Sequence, residues 1–250
     1  MNEKIKSIIA AVPAKYIYYK NAQGVIINAD SRTVLPLLRG GVDVCITDPV
    51  WPNCPPGLLK GSAAPEKLLK DTLRHVKTKR LIVVMRNDSD PRFLRSVPAR
   101  YPYFKLQILS YVIPSYHGRK LGGDEIAYCF GTPLPASRGK KVIPTYGPRL
   151  QPQDRENRCY ENRKIINGKV LRKKTKGHPC SRALKHFEWL IDWWTLPGDV
   201  VLDPFAGGGT TLSAANIHGR YYIGIEIEKK YCKLAKEKII KDEKQMRLFV

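Results

Sequence analysis

The sequence predicts an α/β fold: a mostly parallel sheet covered by helices on both faces. Two observations carry this. Short apolar runs alternate with helical patterns along most of the 250 residues. One stretch, residues 197–226, also runs strand, glycine loop, helix, strand, acidic residue, the layout of a nucleoside-binding half. A third observation concerns partners. Lys and Arg number 44 against 22 Asp and Glu, a net charge of +22, which points to a polyanion, most simply nucleic acid. No internal repeat is visible, and no apolar run is long enough to span a membrane. The cysteines Cys45, Cys54, Cys129, Cys159, Cys180 and Cys232 are scattered without a C-x-x-C pair, as in reduced cytosolic proteins. A zinc site from Cys159, His178 and Cys180 fits no standard spacing, so no metal is expected.

Taken in order, the apolar run 8–12 is too short for a signal peptide and reads as a helix ending near Pro13. Residues 24–29 form a strand ending in Asp30, and Ser31 caps a short helix through Leu38. Gly40 and Gly41 stop it, and the strand 42–47 leads into Asp48-Pro49-Val50-Trp51. Residues 64–76 read as a helix, 81–85 as a strand, 91–97 as a short helix, and 104–112 and 125–130 as strands around a basic loop. From 131 to 177 the pattern disappears. That segment carries Arg138, Lys140, Lys141, Arg172, Lys173 and Lys174 among its cations, with Tyr146 and Tyr160 interleaved, a composition suited to phosphate contacts and base stacking. Residues 182–194 then have helical apolar spacing.

Within 197–226, the strand 199–202 ends at Asp203, Gly207 to Gly209 allow a sharp turn, residues 210–217 form a helix stopped by Gly219, and the strand 221–225 ends at Glu226. Leu212 stands where a dinucleotide fingerprint needs glycine, and no lysine follows the glycines as a P-loop requires. An acid ahead of the loop repels phosphate but suits an ammonium, and Glu226 suits ribose hydroxyls. Together they fit S-adenosylmethionine, which has a ribose and an amino acid but no phosphate.

Asp48-Pro49-Val50-Trp51 lies at the carboxyl end of a predicted strand, where open α/β sheets place ligands. Methylating an exocyclic amino group requires drawing its nitrogen lone pair out of conjugation. Asp48 and the Pro49 carbonyl can accept the two amino hydrogens, and Trp51 offers a face for a base taken out of its stack.

The two sites together resemble the DNA amino-methyltransferases that modify adenine N6 or cytosine N4, over nearly the whole chain. The catalytic motif is similar at residues 48–51, with Val50 in place of a second proline, and the cofactor loop at 203–211. His178-Pro179-Cys180-Ser181-Arg182 resembles the motif ahead of the helix preceding that loop, and Asn28-Ala29-Asp30-Ser31 a strand end near the cofactor adenine. Catalytic motif, basic insert, cofactor loop is the order of the permuted class called beta. The resemblance implies a Rossmann-like, circularly permuted S-adenosylmethionine-dependent fold, one domain over 1–250 with a target-recognition insert at 131–177. It implies catalysis by Asp48, Pro49 and Trp51. Cofactor contacts are implied at Asp30, Asp48, His178, Pro179, Ser181, Asp203, Pro204, Phe205, Ala206, Gly207, Gly209, Thr210, Glu226 and Ile227. The substrate implied is adenine in double-stranded DNA. Cytosine N4, or a DNA-binding module with an inactive site, are the alternatives. A prokaryotic or phage-infected cytoplasm is the implied location. Serine replaced by Asp48 leans toward adenine, and the short insert implies brief recognition or a homodimer. Gln245, Leu248 and Phe249 resemble the peptide by which DNA enzymes hold a replication sliding clamp.

Overall fold

A computed structural model describes residues 1–110, 125–134, 143–150, 160–166, 169–174 and 177–247. The strands are β1 (Ile17–Lys20), β2 (Gly24–Asn28), β3 (Val42–Thr47), β4 (Thr78–Arg86), β5 (Tyr103–Leu109), β6 (Glu125–Gly131), β7 (Tyr160–Ile166), β8 (Lys169–Lys174), β9 (Val200–Asp203) and β10 (Tyr221–Glu226). The helices are α1 (Glu3–Ile8), α2 (Ser31–Val34), α3 (Pro65–Leu73), α4 (Leu184–Trp194), α5 (Thr210–Ile217) and α6 (Lys229–Arg247).

An eight-stranded sheet runs β1-β2-β10-β9-β3-β4-β6-β5. From β2 to β4 every neighbouring pair is parallel, and the outer pairs are antiparallel. The side-chain period of two explains why the central strands read as unbroken apolar runs. Val25, Ile27, Cys45, Leu81, Val83 and Met85 face one core with α1, α2 and α3. Ile26, Val44, Ile46, Ile82 and Val84 face the other with α4, α5 and α6. Buried Trp194 on α4 still satisfies its indole N–H, which donates to Gln107 Oε1 at 2.6 Å.

The strand order places the site. β9 leads through α5 to β10 on one side, whereas β3 leads through α3 to β4 on the other. Strand order therefore reverses between β9 and β3, and at such a switch point the crossovers diverge and leave a crevice beyond the strand ends. Asp48 and Asp203 stand at that crevice, because β3 and β9 pair in register Val44↔Val201 and Cys45↔Leu202.

Several local expectations are corrected. The first helix stops at Ile8, short of Pro13, and α3 at Leu73, short of Val76. Asp30 rather than Ser31 caps α2, accepting from Arg32 N at 2.9 Å, while the Ser31 hydroxyl donates to the Pro204 carbonyl. The helix continues to Leu37 only as a tighter 3-10 turn. Helix α4 begins at Leu184, leaving Arg182 on the preceding loop. The edge strand β1 is unexpected, because Ile17-Tyr18-Tyr19-Lys20, although rich in strand-favouring residues, is short and has no alternation. Within 131–177, β7 and β8 pair as an antiparallel ribbon, so the segment is not irregular throughout. Its cations mask the strand pattern, although Asn167-Gly168 between the runs is a strong hairpin signal. Arg138, Lys140, Lys141, Leu248 and Phe249 lie outside the described residues, while Gln245 is exposed on α6. Among the described residues, no helix is long and apolar enough to cross a membrane.

Candidate active site

Asp48 follows directly from β3 and is held by Arg182, a cation that helical spacing alone would place on α4. Arg182 Nε lies 2.8 Å from Asp48 Oδ2, and Arg182 Nη2 donates to Oδ1 at 3.4 Å. The same Nε is 3.5 Å from Glu125 Oε1 at the start of β6. Burial pushes the Asp48 carboxyl up to about 7, against the pull of Arg182 and with a further push from Glu125 and Asp203. The Trp51 indole N–H donates to the Val84 carbonyl at 3.0 Å, which fixes the ring, and the Arg182 guanidinium lies 4.0 Å from its centroid.

Asp203 does not face the cleft. Its Oδ1 accepts from Thr47 Oγ1 and Phe205 N, both at 3.0 Å, and its Oδ2 from Thr211 Oγ1 at 2.6 Å. Burial raises it to about 6, opposed by those three hydrogen bonds. The expected contact with an ammonium is thereby replaced by a structural one. Asp203 ties the end of β9 to the loop and to the first turn of α5, where an acid is favoured.

The loop itself is shaped by close approach. Gly207 (φ +50°) gives its N–H to Glu226 Oε2 at 2.8 Å, and Glu228 N donates to Oε1 at 2.7 Å. Both Glu226 oxygens keep a free lone pair, and burial lifts the carboxyl to about 6. His178 packs on Gly207 and Gly208 and edge-on against Tyr231, with ring centroids 4.3 Å apart. Its Nδ1 accepts from Cys180 N at 3.2 Å, so the neutral ring carries its proton on Nε2. Burial, with Arg182, Lys238 and Lys230 nearby, lowers His178 to about 4 and keeps it neutral.

Two adjoining hollows meet at Glu226. One of about 340 Å³ is lined by Asp30, Ser31, Pro204, Phe205, Glu226, Ile227 and the turn around Lys60 to Leu68. The other, of about 580 Å³, is lined by Asp48, Pro49, Trp51, Glu125, His178, Pro179, Arg182, Phe205, Gly207, Glu226, Ile227 and Tyr231. Lys60 lines both and pairs with Glu228 at 3.0 Å across their boundary. Ala206, Gly209, Thr210 and Ser181 line neither; the first three set the loop and the start of α5. Sequence reasoning missed Arg182, Glu125 and Lys60 as site residues. Glu125 had one usable signal, a carboxylate at the head of an otherwise apolar strand.

A family model described as DNA methylase, for N6 and N4 methylation, matches residues 64–237. The chain belongs to this DNA methylase family. Among curated relatives, the orphan methyltransferase M.BamHII of Bacillus amyloliquefaciens is 45% identical over 62 residues, 25% of this chain and 23% of that one. The type II methyltransferase M.HinfI of Haemophilus influenzae is 32% identical over 124 residues, 47% of this chain and 34% of that one. The aligned stretches thus span well under half of these relatives. Over most of the fold the chain is similar to M1.HpyAVI in complex with SAM (TM-score 0.58, 22% identity, 85% of this chain, 98% of that one). It is likewise similar to the cytosine-N4-specific PvuII DNA methyltransferase (TM-score 0.57, 15% identity, 93% and 95%). These likenesses establish a methyltransferase-type α/β fold for the chain.

Proposed function

We propose that the chain transfers a methyl group from S-adenosylmethionine to the N6 amino group of adenine in double-stranded DNA. The observation that supports this most is the meeting of two sites in one crevice: the Glu226 hollow and Asp48-Pro49-Val50-Trp51 open onto the same cleft. The residues present fit the cofactor. Glu226 offers free lone pairs to ribose hydroxyls, Phe205 and Ile227 give apolar walls for an adenine ring, and the glycine loop leaves room for close backbone approach. When bound, S-adenosylmethionine supplies an electrophilic methyl group on a sulfonium.

The chain's own groups do the rest. Asp48 and the Pro49 carbonyl accept the amino hydrogens of the target base, so its nitrogen lone pair turns toward the methyl group. Trp51 holds the flat ring. Positioning and fixed acceptors in a partly dry cleft account for the acceleration. A carboxyl poised at about 7 also suits taking the proton that the methylated nitrogen sheds. His178, neutral, lends shape without opposing the positive sulfur.

Mass spectrometry of nucleosides from the DNA of an expressing host is expected to show N6-methyladenine. N4-methylcytosine instead would overturn the choice of base alone, and the absence of either would overturn the reading.

The basic ribbon is proposed to meet DNA phosphates. Changing Arg172, Lys173 and Lys174 to alanine is expected to flatten the salt dependence of DNA binding by roughly 0.9 in slope for each phosphate no longer neutralised. An unchanged slope in a titration from low to moderate salt would show that these residues do not meet the backbone.

A further inference from the structure

The face of Trp51 that a target base needs is covered by Arg182. Resting on the proposed function, we propose that Arg182 fills the target-base position in the DNA-free protein, and that an entering base displaces it toward Glu125.

Arg182 mimics a base. A guanidinium is flat, delocalised and edged with N–H donors. Here it lies 4.0 Å from the Trp51 centroid and directs Nη2–H at Asp48 Oδ1. Those are the features by which an amino-bearing base would be held: a π face on Trp51 and an N–H on the Asp48 carboxylate. Both cannot occupy the same face at once.

Trp51 is not the partner that moves, since its indole N–H is bonded to the Val84 carbonyl at 3.0 Å. Arg182 is the one able to move. It precedes α4, on the loop after His178, and its long side chain can swing. A largely buried guanidinium does not readily leave one carboxylate without reaching another, because an unpaired charge out of water is costly. Glu125 supplies that second partner. It is buried, and its Oε1 is already 3.5 Å from Arg182 Nε. Asp48, Trp51, Glu125 and Arg182 all line the larger hollow, so the exchange takes place within one space.

The device also discriminates. Displacing Arg182 deprives Asp48 of a charge-assisted hydrogen bond. Adenine or cytosine restores a donor to Asp48 through its exocyclic amino group, whereas thymine carries a carbonyl oxygen, an acceptor, in that place. The site therefore disfavours thymine through the acceptor that Arg182 vacates.

The test uses the full chain, labelled at arginine, and the duplex site mapped from methylated host DNA. In the free protein, the Arg182 Nε–H resonance, identified by its loss in Arg182→Lys, is expected to be displaced by the Trp51 ring current and protected from exchange. With S-adenosylhomocysteine and saturating target duplex, the ring-current displacement should vanish while protection persists through Glu125. A resonance unmoved by DNA overturns the proposal, and tritiated methyl transfer by the same preparation shows that the proposed function stands without it. Absence of methyl transfer to any host DNA overturns both.

A second measurement compares affinity for the target duplex with that for a duplex abasic at the target position. Arg182→Ala is expected to raise this ratio about fivefold or more. The ratio cancels the general loss of one positive charge. An unchanged or lowered ratio overturns the displacement.

Discussion

Asp48→Ala is expected to lower methyl transfer by at least about 10²-fold while S-adenosylmethionine affinity changes by no more than a few-fold, the loss typical of removing a preorganised group that acts on the reacting atoms. The residue stands at the switch point, but the cofactor hollow is built around Glu226, Phe205 and Ile227, which Asp48 does not touch in that smaller space. Radiolabelled methyl transfer and calorimetric cofactor titration separate the two quantities. Activity within tenfold of the unaltered chain would sink the mechanism. Loss of cofactor binding in step with activity would show that Asp48 serves the cofactor instead. Asp48→Asn is the companion variant, because alanine removes the carboxylate 2.8 Å from the largely buried Arg182 Nε and weakens the fold as well.

The pH dependence follows from the same carboxylate. Only ionised Asp48 accepts freely through both oxygens, so activity is expected to rise through about 7 and to level off above it. Its charged neighbours are Arg182, Glu125 and Asp203. Glu226 and Asp203, each near 6, charge earlier, so cofactor binding should fall only at lower pH than turnover does. Stability runs the other way. All three carboxyls are raised in the folded chain, so the contribution they make is fully present below their unfolded values of 3.8 and 4.5 and is lost as the pH climbs through 6 to 7. The cleft is chemically competent under conditions where its own carboxylates favour it least.

Much of this was legible because it rests on local pattern. The apolar runs of β3, β9 and β10 and the acids or motif at their carboxyl ends are contiguous in sequence, and parallel strands place such ends on one edge of the sheet. Arg182 and Glu125 were not legible. Their meeting with Asp48 depends on β6 lying antiparallel beside β4, with Glu125 opposite Arg86, which no local spacing encodes. The inward turn of Asp203 was hidden for a related reason. Two hydroxyls decide it, and one of them, on Thr47, comes from a strand 156 residues earlier. Charge density hid the β7–β8 ribbon, because a strand rich in lysine and arginine lacks the apolar alternation by which strands are read.

Gly209→Ala is expected to cost about 2–5 kcal/mol of folding stability, combining strained backbone with overpacking. Gly209 caps α5 in the left-handed region, at φ +80° and ψ +26°, which an alanine adopts only at a cost. The space is closed as well. A Cβ there would stand 2.6 Å from Ala235 Cβ and 2.9 Å from Ala235 Cα. Neither is the end of a flexible side chain that could swing away, so α5 and α6 would have to part. Ser213 on α5 is bonded to buried Asp242 on α6 at 2.5 Å, and that hydrogen bond resists the parting. Gly224→Ala is the informative contrast, because there the added carbon meets the Leu212 side chain rather than backbone, and no left-handed φ has to be held. For a chain of this size each kcal/mol lowers Tm by roughly 2–4 °C, so thermal melting followed by circular dichroism should drop by about 5–15 °C for Gly209→Ala and less for Gly224→Ala. A Tm unchanged to within about 2 °C would mean that the loop relaxes without parting the helices, and that the glycine is kept for ligand approach rather than for packing.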